Sequence, residues 1–506
     1  MVLGIDLGTS NTVAATLSRD GSPVLIPDAN NKDQQITPSI AIIEGNRAYA
    51  GGFAESLYES LPDKQIISYF KRSFGTQDPV YFDDDNNAWF SETVASLIIR
   101  KVKNDAELYL PDGFKQAVIT VPAHYNDVQR KSVIEAARLA ELELSAIVEE
   151  PVAAALFYGS SNKKIDEEII LIYDFGGGTF DLTLITKSGT QLNVIAKDGV
   201  NKLGGKEFDE IVQETIRADY EKAFGVPFPS DKLTNNRVQK IAENIKIELN
   251  DAATPANISK WIMIGRDAFE STFYYDGYAA RATQLITKTE QAVNRCLRSL
   301  GMQFTDVNKL VLIGGTSSSK LVYNFWKQKI APHQELIYHQ PLSSVAKGAA
   351  LYAASFSSGS SSLVTPIELR SVSTYNIGLL LSNSNRQQID LLIHRNIPLP
   401  VSSKKVYRIN PSKTNFVLIE LCQFWDPQED LHKLGTIKAG PFGPVSEFLL
   451  EVNVENRLNG TIGIKLKNAE NGRDIKFEFI RKESGYKYDF LQQKSLLDNI
   501  YLNNYL

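Results

Sequence analysis

The sequence predicts an α/β domain followed, after a flexible linker, by an all-β domain. In the first part, apolar runs such as Ala117–Val121 are typical of buried strands and alternate with helical segments. Residues 355–362 are almost entirely serine and glycine, a composition typical of a flexible linker. Beyond it, Phe448–Val454 and Ile462–Leu466 alternate apolar and polar residues on either side of the turn Asn459-Gly460, which predicts a β-hairpin.

The remaining elements follow in chain order from turns, caps and apolar periodicity. Further strands are expected at 13–17, 24–26, 310–313 and 475–479. Helices are expected at 127–141, 152–158, 204–223, 235–249 and 343–354. The last residues, 489–506, are long enough for one short helix with Leu497, Ile500 and Tyr501 on a single face.

The bulk composition restricts the classes of protein to which the chain can belong. With 506 residues it is too long for one core, so several domains are expected. Its net charge of −5 argues against a nucleic-acid-binding surface. The two cysteines, Cys296 and Cys422, form no CxxC motif, which excludes a zinc ribbon and fits a reducing compartment. No stretch resembles a signal peptide or a membrane span, so we expect a cytoplasmic protein without a membrane partner.

Two glycine-rich turns, each directly after a predicted strand, carry the functional signal. Tyr173–Asp181 follows the apolar run Ile169–Ile172, and a similar unit, Gly4–Asn11, lies near the N-terminus. Glycines let the backbone approach a ligand closely, and each turn also contains aspartate and threonine. Backbone N–H groups can hold phosphate oxygens while carboxylates hold a hydrated divalent cation. The two turns therefore predict a clamp around a polyphosphate, and the lack of Walker A and GxGxxG motifs disfavours P-loop and Rossmann binding.

Several short segments give the chain a family resemblance. It resembles the DnaK-type, seventy-kilodalton heat-shock chaperones, which share the actin-like ATPase fold with sugar kinases. The similarity is close over residues 1–355 and looser to about residue 480. The matching segments, in family order, are Gly4–Asn11, Phe70–Arg72, Val121–Ala123, Glu150–Ala155, Asp174–Asp181, Leu203–Gly205, Gly314–Thr316 and Ala346–Ala350.

The resemblance implies a domain order. Residues 1–355 would form an actin-like, two-lobed nucleotide-binding domain, and residues 356–372 a linker. Residues 373–480 would form a β-sandwich that binds peptides. Only a short tail, residues 481–506, would stand where the family has a long helical lid.

The resemblance also implies ATP or ADP with Mg²⁺ as cofactors and a role for each residue of the two turns. Asp6, Asp174 and Asp181 would surround the hydrated metal, while Lys71 would position the attacking water and Glu150 would order it. Asp174 and Thr179 would also act in catalysis, and Thr9, Ser10 and Thr179 would contact the phosphates. The other residues assigned to the phosphate end are Gly8, Asn11, Gly176, Gly177, Gly178, Gly204, Gly205, Gly314 and Gly315. Without the family, a solvated lysine and a helix-start acid would be the simpler interpretations of Lys71 and Glu150.

The adenosine end departs from the family pattern. Glu243 and Lys246 match and would bind the ribose. Ile247 and Ser318 stand where the family has two arginines that stack on adenine. There are two smaller changes: Asn250 stands where the family has a serine, and Leu342 stands where it has an acidic residue. Without these two arginines, no guanidinium group can stack on the adenine. We therefore expect the base to bind more weakly, by about 1 kcal/mol for each missing arginine.

The regions that couple the two domains in the family also differ from the family pattern in this chain. Ala146, Glu149 and Val152 replace the arginine, asparagine and threonine of the patch that helps to dock J-domain partners. In the linker, Glu368 and Arg370 interrupt a run that is apolar in the family. Because burying an unpaired charge is costly, we expect this linker to dock poorly on the nucleotide-binding domain.

Three functions are compatible with these features. The first is an ATP-hydrolysing chaperone without a lid, with J-domain and nucleotide-exchange partners, whose β domain binds unfolded apolar peptides. Ile389, Leu391, Leu392, Val417 and Leu418 fall in the strands that correspond to the family's peptide groove, although sheet core is the simpler interpretation for each. The second is an adaptor or co-chaperone that keeps the fold without the allosteric cycle. A small-molecule kinase of the same fold ranks last, because it would not need the β domain.

Overall fold

The computed structural model describes residues 1–30, 35–60, 65–161, 167–189, 191–200, 202–250, 257–338, 342–356, 368–383, 386–410, 415–425, 431–442, 447–480 and 488–503. The strands before residue 150 are β1 (Val2–Leu7), β2 (Asn11–Leu17), β3 (Pro23–Ile26), β4 (Thr37–Pro38), β5 (Ala41–Glu44), β6 (Arg47–Ala50), β7 (Tyr81–Phe82), β8 (Ala88–Trp89), β9 (Gln116–Val121) and β10 (Ala146–Glu149). The helices of this part are α1 (Gly52–Ser60), α2 (Ser91–Tyr109), α3 (Asp127–Leu139) and α4 (Glu150–Ser161). Together they form lobe I.

Lobe II spans residues 168–356. Its strands are β11 (Glu168–Phe175), β12 (Phe180–Ser188), β13 (Gln191–Val200), β14 (Asn257–Ile264), β15 (Asp267–Tyr274), β16 (Lys309–Ile313) and β17 (Glu335–Ile337). Its helices are α5 (Gly205–Phe224), α6 (Lys232–Asn250), α7 (Tyr275–Ser299), α8 (Lys320–Lys327) and α9 (Ser344–Ala354).

The two lobes repeat one sheet plan. In lobe I the strand order is β10-β9-β1-β2-β3, with β1 antiparallel to β2 and parallel to β9. In lobe II the order is β17-β16-β11-β12-β13, with β11 antiparallel to β12 and parallel to β16. Each glycine-rich turn connects the first hairpin of its sheet, so the two turns occupy equivalent places at the edges that face each other.

Helices α4 and α9 join the lobes by close backbone contact. A Cβ on Gly348 would overlap the carbonyl of Ala153, and a Cβ on Gly4 would overlap the backbone of Ala350. One buried cluster includes side chains from both helices and both sheets, among them Val118 and Val311. Small residues in α4 and α9 therefore set the distance between the two sheets.

The C-terminal part is a β-sandwich. Its strands are β18 (Glu368–Arg370), β19 (Asn376–Asn383), β20 (Arg386–Ile393), β21 (Val401–Ile409), β22 (Val417–Phe424), β23 (His432–Ala439), β24 (Phe448–Asn456), β25 (Ile462–Asn468), β26 (Phe477–Ile480) and β27 (Tyr501–Asn503), of which β18 and β27 lie outside the sandwich. One sheet has the order β20-β19-β22-β23-β26 and the other β21-β24-β25. Ile377, Ile437, Leu450 and Val452 fill the core between them. The predicted fold class is thus confirmed, and the predicted hairpin around Asn459-Gly460 is β24–β25.

The linker docks on lobe II, contrary to our expectation from its charges. Part of it, residues 357–367, lies outside the described residues. Residues 368–370 form β18, which pairs in parallel with β13 at the edge of the lobe II sheet. Strand alternation leaves Glu368 and Arg370 exposed while Leu369 packs against the inter-lobe core. Neither charge is buried, so the expected desolvation cost does not arise.

The C-terminal segment returns to lobe I. Helix α10 (Phe490–Asp498) buries Leu497 in the core of that lobe, and β27 adds in parallel to β6. The predicted helix is confirmed, but the expected apolar face is wrong at Tyr501, which begins β27 and is exposed. None of the helices in the described ranges has the length and apolar character needed to cross a membrane.

A buried lysine between two acids underlies our first prediction. The Lys101 Nζ lies 2.7 Å from Asp28 Oδ1 and also contacts Asp105. Burial raises the pKa of Asp105 to about 6, against the opposing effect of Lys101. This carboxyl therefore stabilises the folded chain below about pH 4, and that contribution is lost as the pH rises through about 6.

Asp105→Asn should therefore stabilise the chain at pH 7.5 by about 1–3 kcal/mol, and the gain should shrink towards pH 4. Urea unfolding at pH 4.5 and 7.5 measures the difference, with the exposed Asp112→Asn as the matched control. A variant that is less stable than the wild type at pH 7.5 would show that the ion pair with Lys101 outweighs the cost of burial.

Candidate nucleotide-binding site

The two turns meet at a cavity of about 490 Å³ between the lobes. All residues predicted for catalysis, metal and nucleotide line it except Gly178, Gly204 and Asp181. The predicted lining residues are Asp6, Gly8, Thr9, Ser10, Asn11, Lys71, Glu150, Asp174, Gly176, Gly177, Thr179, Gly205, Glu243, Lys246, Ile247, Asn250, Gly314, Gly315 and Ser318. Residues from both lobes and from distant parts of the sequence thus converge on one site.

Both turns are tightly constrained by backbone contacts. In the first, a Cβ on Gly8 would overlap the carbonyl of Asn11. In the second, the carbonyl of Gly176 accepts hydrogen bonds from the Gly205 N–H at 3.0 Å and from Thr316 Oγ1 at 2.7 Å. The Gly177 backbone also lies directly against Ser10 of the first turn. The two turns therefore touch, which explains why glycine is needed at the contact.

Gly178 and Gly204 support the cavity from behind its wall. A Cβ on Gly204 would come within 2.6 Å of the Gly177 carbonyl carbon and the Gly178 nitrogen. The carbonyl of Gly178 accepts a hydrogen bond from Arg72 Nη2 at 2.8 Å. The Arg72 guanidinium also makes two hydrogen bonds to Glu207, at 2.9 and 3.0 Å. An arginine of lobe I thus holds the second turn, a role that the sequence did not indicate.

A cluster of acids around one lysine forms the deep end of the cavity. The Lys71 Nζ lies 2.7 Å from Glu150 Oε1, and both side chains are buried. Burial and then the charge of Glu150 raise the pKa of the Asp6 carboxyl to about 7. Burial, followed by Glu150, Asp181 and Asp6, raises the pKa of Asp174 well above its usual range. Within the described residues, no three acidic, histidine or cysteine side chains are grouped so as to ligate a metal directly. One lysine does not balance these carboxylates, so a cation such as Mg²⁺ would be held here through its water shell.

Asp181 does not line the cavity. It lies opposite Asp174 in the β11–β12 pair, and its side chain is almost completely buried. Its Oδ1 accepts a hydrogen bond from the His124 backbone N–H at 3.0 Å and lies 2.6 Å from His124 Nδ1. Its predicted part in the metal shell stays a prediction.

The adenosine end has a different character. Lys246 Nζ lies 2.7 Å from Asp209 Oδ1, which holds the lysine at the cavity wall. Asn250 donates to the Tyr278 hydroxyl at 3.0 Å and accepts from Ser319 Oγ at 2.7 Å. At the mouth, Ile247 and Leu342 present exposed apolar side chains, the former with 61% of its surface exposed.

The sequence interpretation missed several lining residues. They are Val13, Phe208, Tyr278, Thr316, Ser319 and Val345. Tyr278 belongs to α7 and meets the site through its hydrogen bond with Asn250, the last residue of α6, so no local pattern could have identified it. Ser319 carries a weak local signal, because its side chain caps α8 by accepting from the Leu321 N–H.

The residues predicted to contact peptide have different environments. Ile389 and Leu391 are half-buried on β20. Val417 packs against the sandwich core, whereas Leu418 is 66% exposed. Neighbouring residues of a strand face opposite sides of the sheet, so Val417 and Leu418 cannot contact a peptide from the same face. Peptide binding by these four residues stays a prediction.

Glu149, one of the departures in the predicted J-domain patch, is buried. Its Oε1 lies 2.8 Å from Arg130 Nη2, and its Oε2 lies 2.6 Å from Lys197 Nζ. Lys197 Nζ also donates to the Val372 carbonyl at 2.8 Å. Glu149 therefore links lobe I to lobe II and, through Lys197, to the end of the linker.

Comparisons with known proteins agree with this architecture. The family model described as Hsp70 protein matches residues 76–478. The chaperone protein DnaK of Thermotoga petrophila is 30% identical over 492 residues, covering 94% of this chain and 79% of the relative. The chaperone protein DnaK of Thermotoga maritima shows the same identity and coverage. With its paired lobes, its interlobe cavity and its β-sandwich, the chain therefore belongs to the Hsp70 family, whose fold is an actin-like ATPase domain followed by a β-sandwich.

Proposed function

We propose that this chain is an ATP-dependent chaperone of the DnaK type. It hydrolyses ATP slowly and so controls how its β-sandwich binds extended apolar peptide segments. The observation that carries the proposal is the buried Lys71–Glu150 pair, which lines one cavity with Asp6, Asp174 and Thr179. Membership of the Hsp70 family supports it, because proteins of this family are ATPases that bind ATP with Mg²⁺.

The chain's own groups suit phosphoryl transfer to water, which depends mainly on positioning and charge stabilisation. The hydroxyls of Thr9, Ser10 and Thr179 line the cavity and would donate to phosphate oxygens. Lys71 would place its charge beside the γ-phosphate, while Glu150 holds that lysine and would accept a hydrogen bond from the attacking water. Asp6 and Asp174 would hold the water shell of Mg²⁺, whose charge offsets that of the phosphates.

A nucleotide-binding adaptor without an allosteric cycle is the second candidate. The buried bridge at Glu149 favours it, because Arg130 and Lys197 both bind this carboxylate and tie the predicted docking patch into the interior. The apolar mouth at Ile247 also favours weaker nucleotide control. Under either proposal the partners are extended apolar peptides, a J-domain co-chaperone and a nucleotide exchange factor, and the location is cytoplasmic. The β-sandwich does not support the third function, a small-molecule kinase, because such a kinase would not need this domain.

Removing Lys71 tests the proposed hydrolysis. Lys71→Ala should lower the single-turnover rate at least about 100-fold, because positive charge near the γ-phosphate is lost. ATP affinity by calorimetry should change less than about threefold. Lys465→Ala, at an exposed lysine of the β-sandwich, is the matched control. A Lys71→Ala variant that hydrolyses ATP at the wild-type rate would exclude the assigned role.

Peptide dependence separates the chaperone from the adaptor. Single-turnover hydrolysis is measured with and without a saturating extended peptide rich in leucine. We expect at least a threefold stimulation for a chaperone whose β-sandwich and cavity are coupled. A hydrolysis rate that does not change when peptide is added favours the adaptor.

Base discrimination should be poor, because Ile247 and Ser318 offer no guanidinium to stack on adenine. ATP and GTP affinities measured by calorimetry should differ less than about fivefold. Introducing both Ile247→Arg and Ser318→Arg should tighten ATP binding about fivefold or more, at roughly 0.5–1 kcal/mol for each stack. Met263→Arg adds charge at an exposed site on β14 and serves as the control. Strong rejection of GTP by the wild type would show that other residues rebuild an adenine-specific pocket.

A further inference from the structure

A tyrosine and an asparagine meet at the wall of the cavity's adenosine end. Tyr278, in the first turn of α7, and Asn250, the last residue of α6, both line the cavity. Tyr278 has only 5% of its surface exposed. Its hydroxyl accepts a hydrogen bond from Asn250 Nδ2 at 3.0 Å. A buried phenol is thus held by a side-chain amide beside the space that a base would occupy.

The orientation of the Asn250 amide is fixed by its other contacts. Its Nδ2 also donates to the Lys246 carbonyl at 2.8 Å, a bond that only an N–H group can make. Its Oδ1 accepts from Ser319 Oγ at 2.7 Å, and that hydroxyl in turn accepts from the Leu321 N–H at 3.2 Å. A rotated amide would place its oxygen against the Lys246 carbonyl oxygen. Both N–H groups of Asn250 are therefore bonded within the protein, one of them to Tyr278.

The proton of the Tyr278 hydroxyl stays available to a ligand. A phenol has a single O–H donor, and the bond to Asn250 uses this hydroxyl as an acceptor. Among the residues that the structure describes, no other hydrogen bond involves the hydroxyl. Burial raises the pKa of Tyr278 above its usual range, so the group remains protonated. Because a buried donor without an acceptor is costly, this wall favours a ligand atom that accepts a hydrogen bond.

Purine bases carry suitable acceptor atoms. The ring nitrogens N3 and N7 have a free lone pair in both adenine and guanine. The two bases differ instead at N1 and at the group attached to C6. A single donor that contacts N3 or N7 can therefore hold either purine, which agrees with the poor discrimination between ATP and GTP that we predict above.

We propose that Tyr278 is a specificity-determining residue for the base, and that its hydroxyl donates a hydrogen bond to N3 or N7 of a bound purine nucleotide. Where the family has a serine, this chain has Asn250, whose amide is engaged within the protein. The donor that faces the base belongs to Tyr278 instead. The proposal rests on the nucleotide-binding function proposed above and adds a polar contact with the edge of the base.

Calorimetry with nucleoside diphosphates tests this contact without turnover. ADP, 7-deaza-ADP and 3-deaza-ADP are titrated with Mg²⁺ into the full chain. Each analogue replaces one ring nitrogen by a C–H group, which cannot accept a hydrogen bond. We expect at least one analogue to bind the wild type about fivefold more weakly than ADP, the size expected for one neutral hydrogen bond.

Two variants show whether Tyr278 is the donor. In Tyr278→Phe the preference for ADP over the weaker analogue should fall below about twofold, because the proton is gone. Asn250→Asp keeps the phenol but introduces a carboxylate, which accepts the phenol proton, so this variant should lose the preference as well. The preference compares two ligands of equal charge, so the added carboxylate does not bias it. Tyr274→Phe, at a tyrosine that is 64% exposed, is the matched control and should keep the wild-type preference.

Each other outcome overturns the proposal. If the wild type binds both analogues as tightly as ADP, neither ring nitrogen accepts a hydrogen bond. If the preference survives in Tyr278→Phe or in Asn250→Asp, the donor is another group. Where Tyr278→Phe does not fold or binds no nucleotide, the preference of Asn250→Asp decides in the same way.

This proposal and the proposed function fail separately. A wild type that prefers ADP to an analogue but does not hydrolyse ATP keeps Tyr278 as the base donor and loses the ATPase activity. A wild type that hydrolyses ATP and binds ADP and both analogues equally keeps the activity and loses the role of Tyr278. A wild type that binds none of the three nucleotides excludes both.

Discussion

The close packing of α4 against α9 is the constraint on which the site depends. Because Gly348 lies against the Ala153 carbonyl and Gly4 against Ala350, the two sheets approach until their first turns touch. Gly177 of one turn then meets Ser10 of the other. A larger side chain in either helix would separate the lobes, and the hydroxyls and carboxylates would no longer share one cavity.

Bringing the turns together concentrates negative charge in a buried place. Asp6, Glu150 and Asp174 surround Lys71, and burial raises the pKa of each of the three carboxyls. Such an arrangement is costly for the nucleotide-free fold, since a buried charge needs a compensating partner. A cation with its water shell would supply that partner, so the metal binding proposed for this site would offset the cost of burying the acids.

The residues that the two glycine-rich turns contribute to the cavity could be predicted from the sequence, because each turn is a local motif. Asp6, Gly8 and Thr9 lie within one turn, and the same is true of Asp174–Thr179. The place of Tyr278 in the cavity wall and the contacts of His124 could not be predicted. In both cases the contacting residues are distant in the sequence. The linker prediction failed for a related reason. The cost of burying Glu368 and Arg370 was judged from composition, whereas strand pairing with β13 leaves both exposed.

The β-sandwich contacts both lobes, and this limits how the cleft can move. On lobe I, Asp127 accepts from the Ile462 N–H at 2.7 Å and Arg130 donates to the Asn459 carbonyl at 3.1 Å. On lobe II, the Lys197 carbonyl accepts a hydrogen bond from Arg395 of the sandwich at 3.1 Å. A rotation of one lobe relative to the other must therefore break contacts on one side of the sandwich or carry the sandwich with it. The cavity between the lobes and a sandwich that binds both lobes cannot rearrange independently, because the same backbone segments serve both.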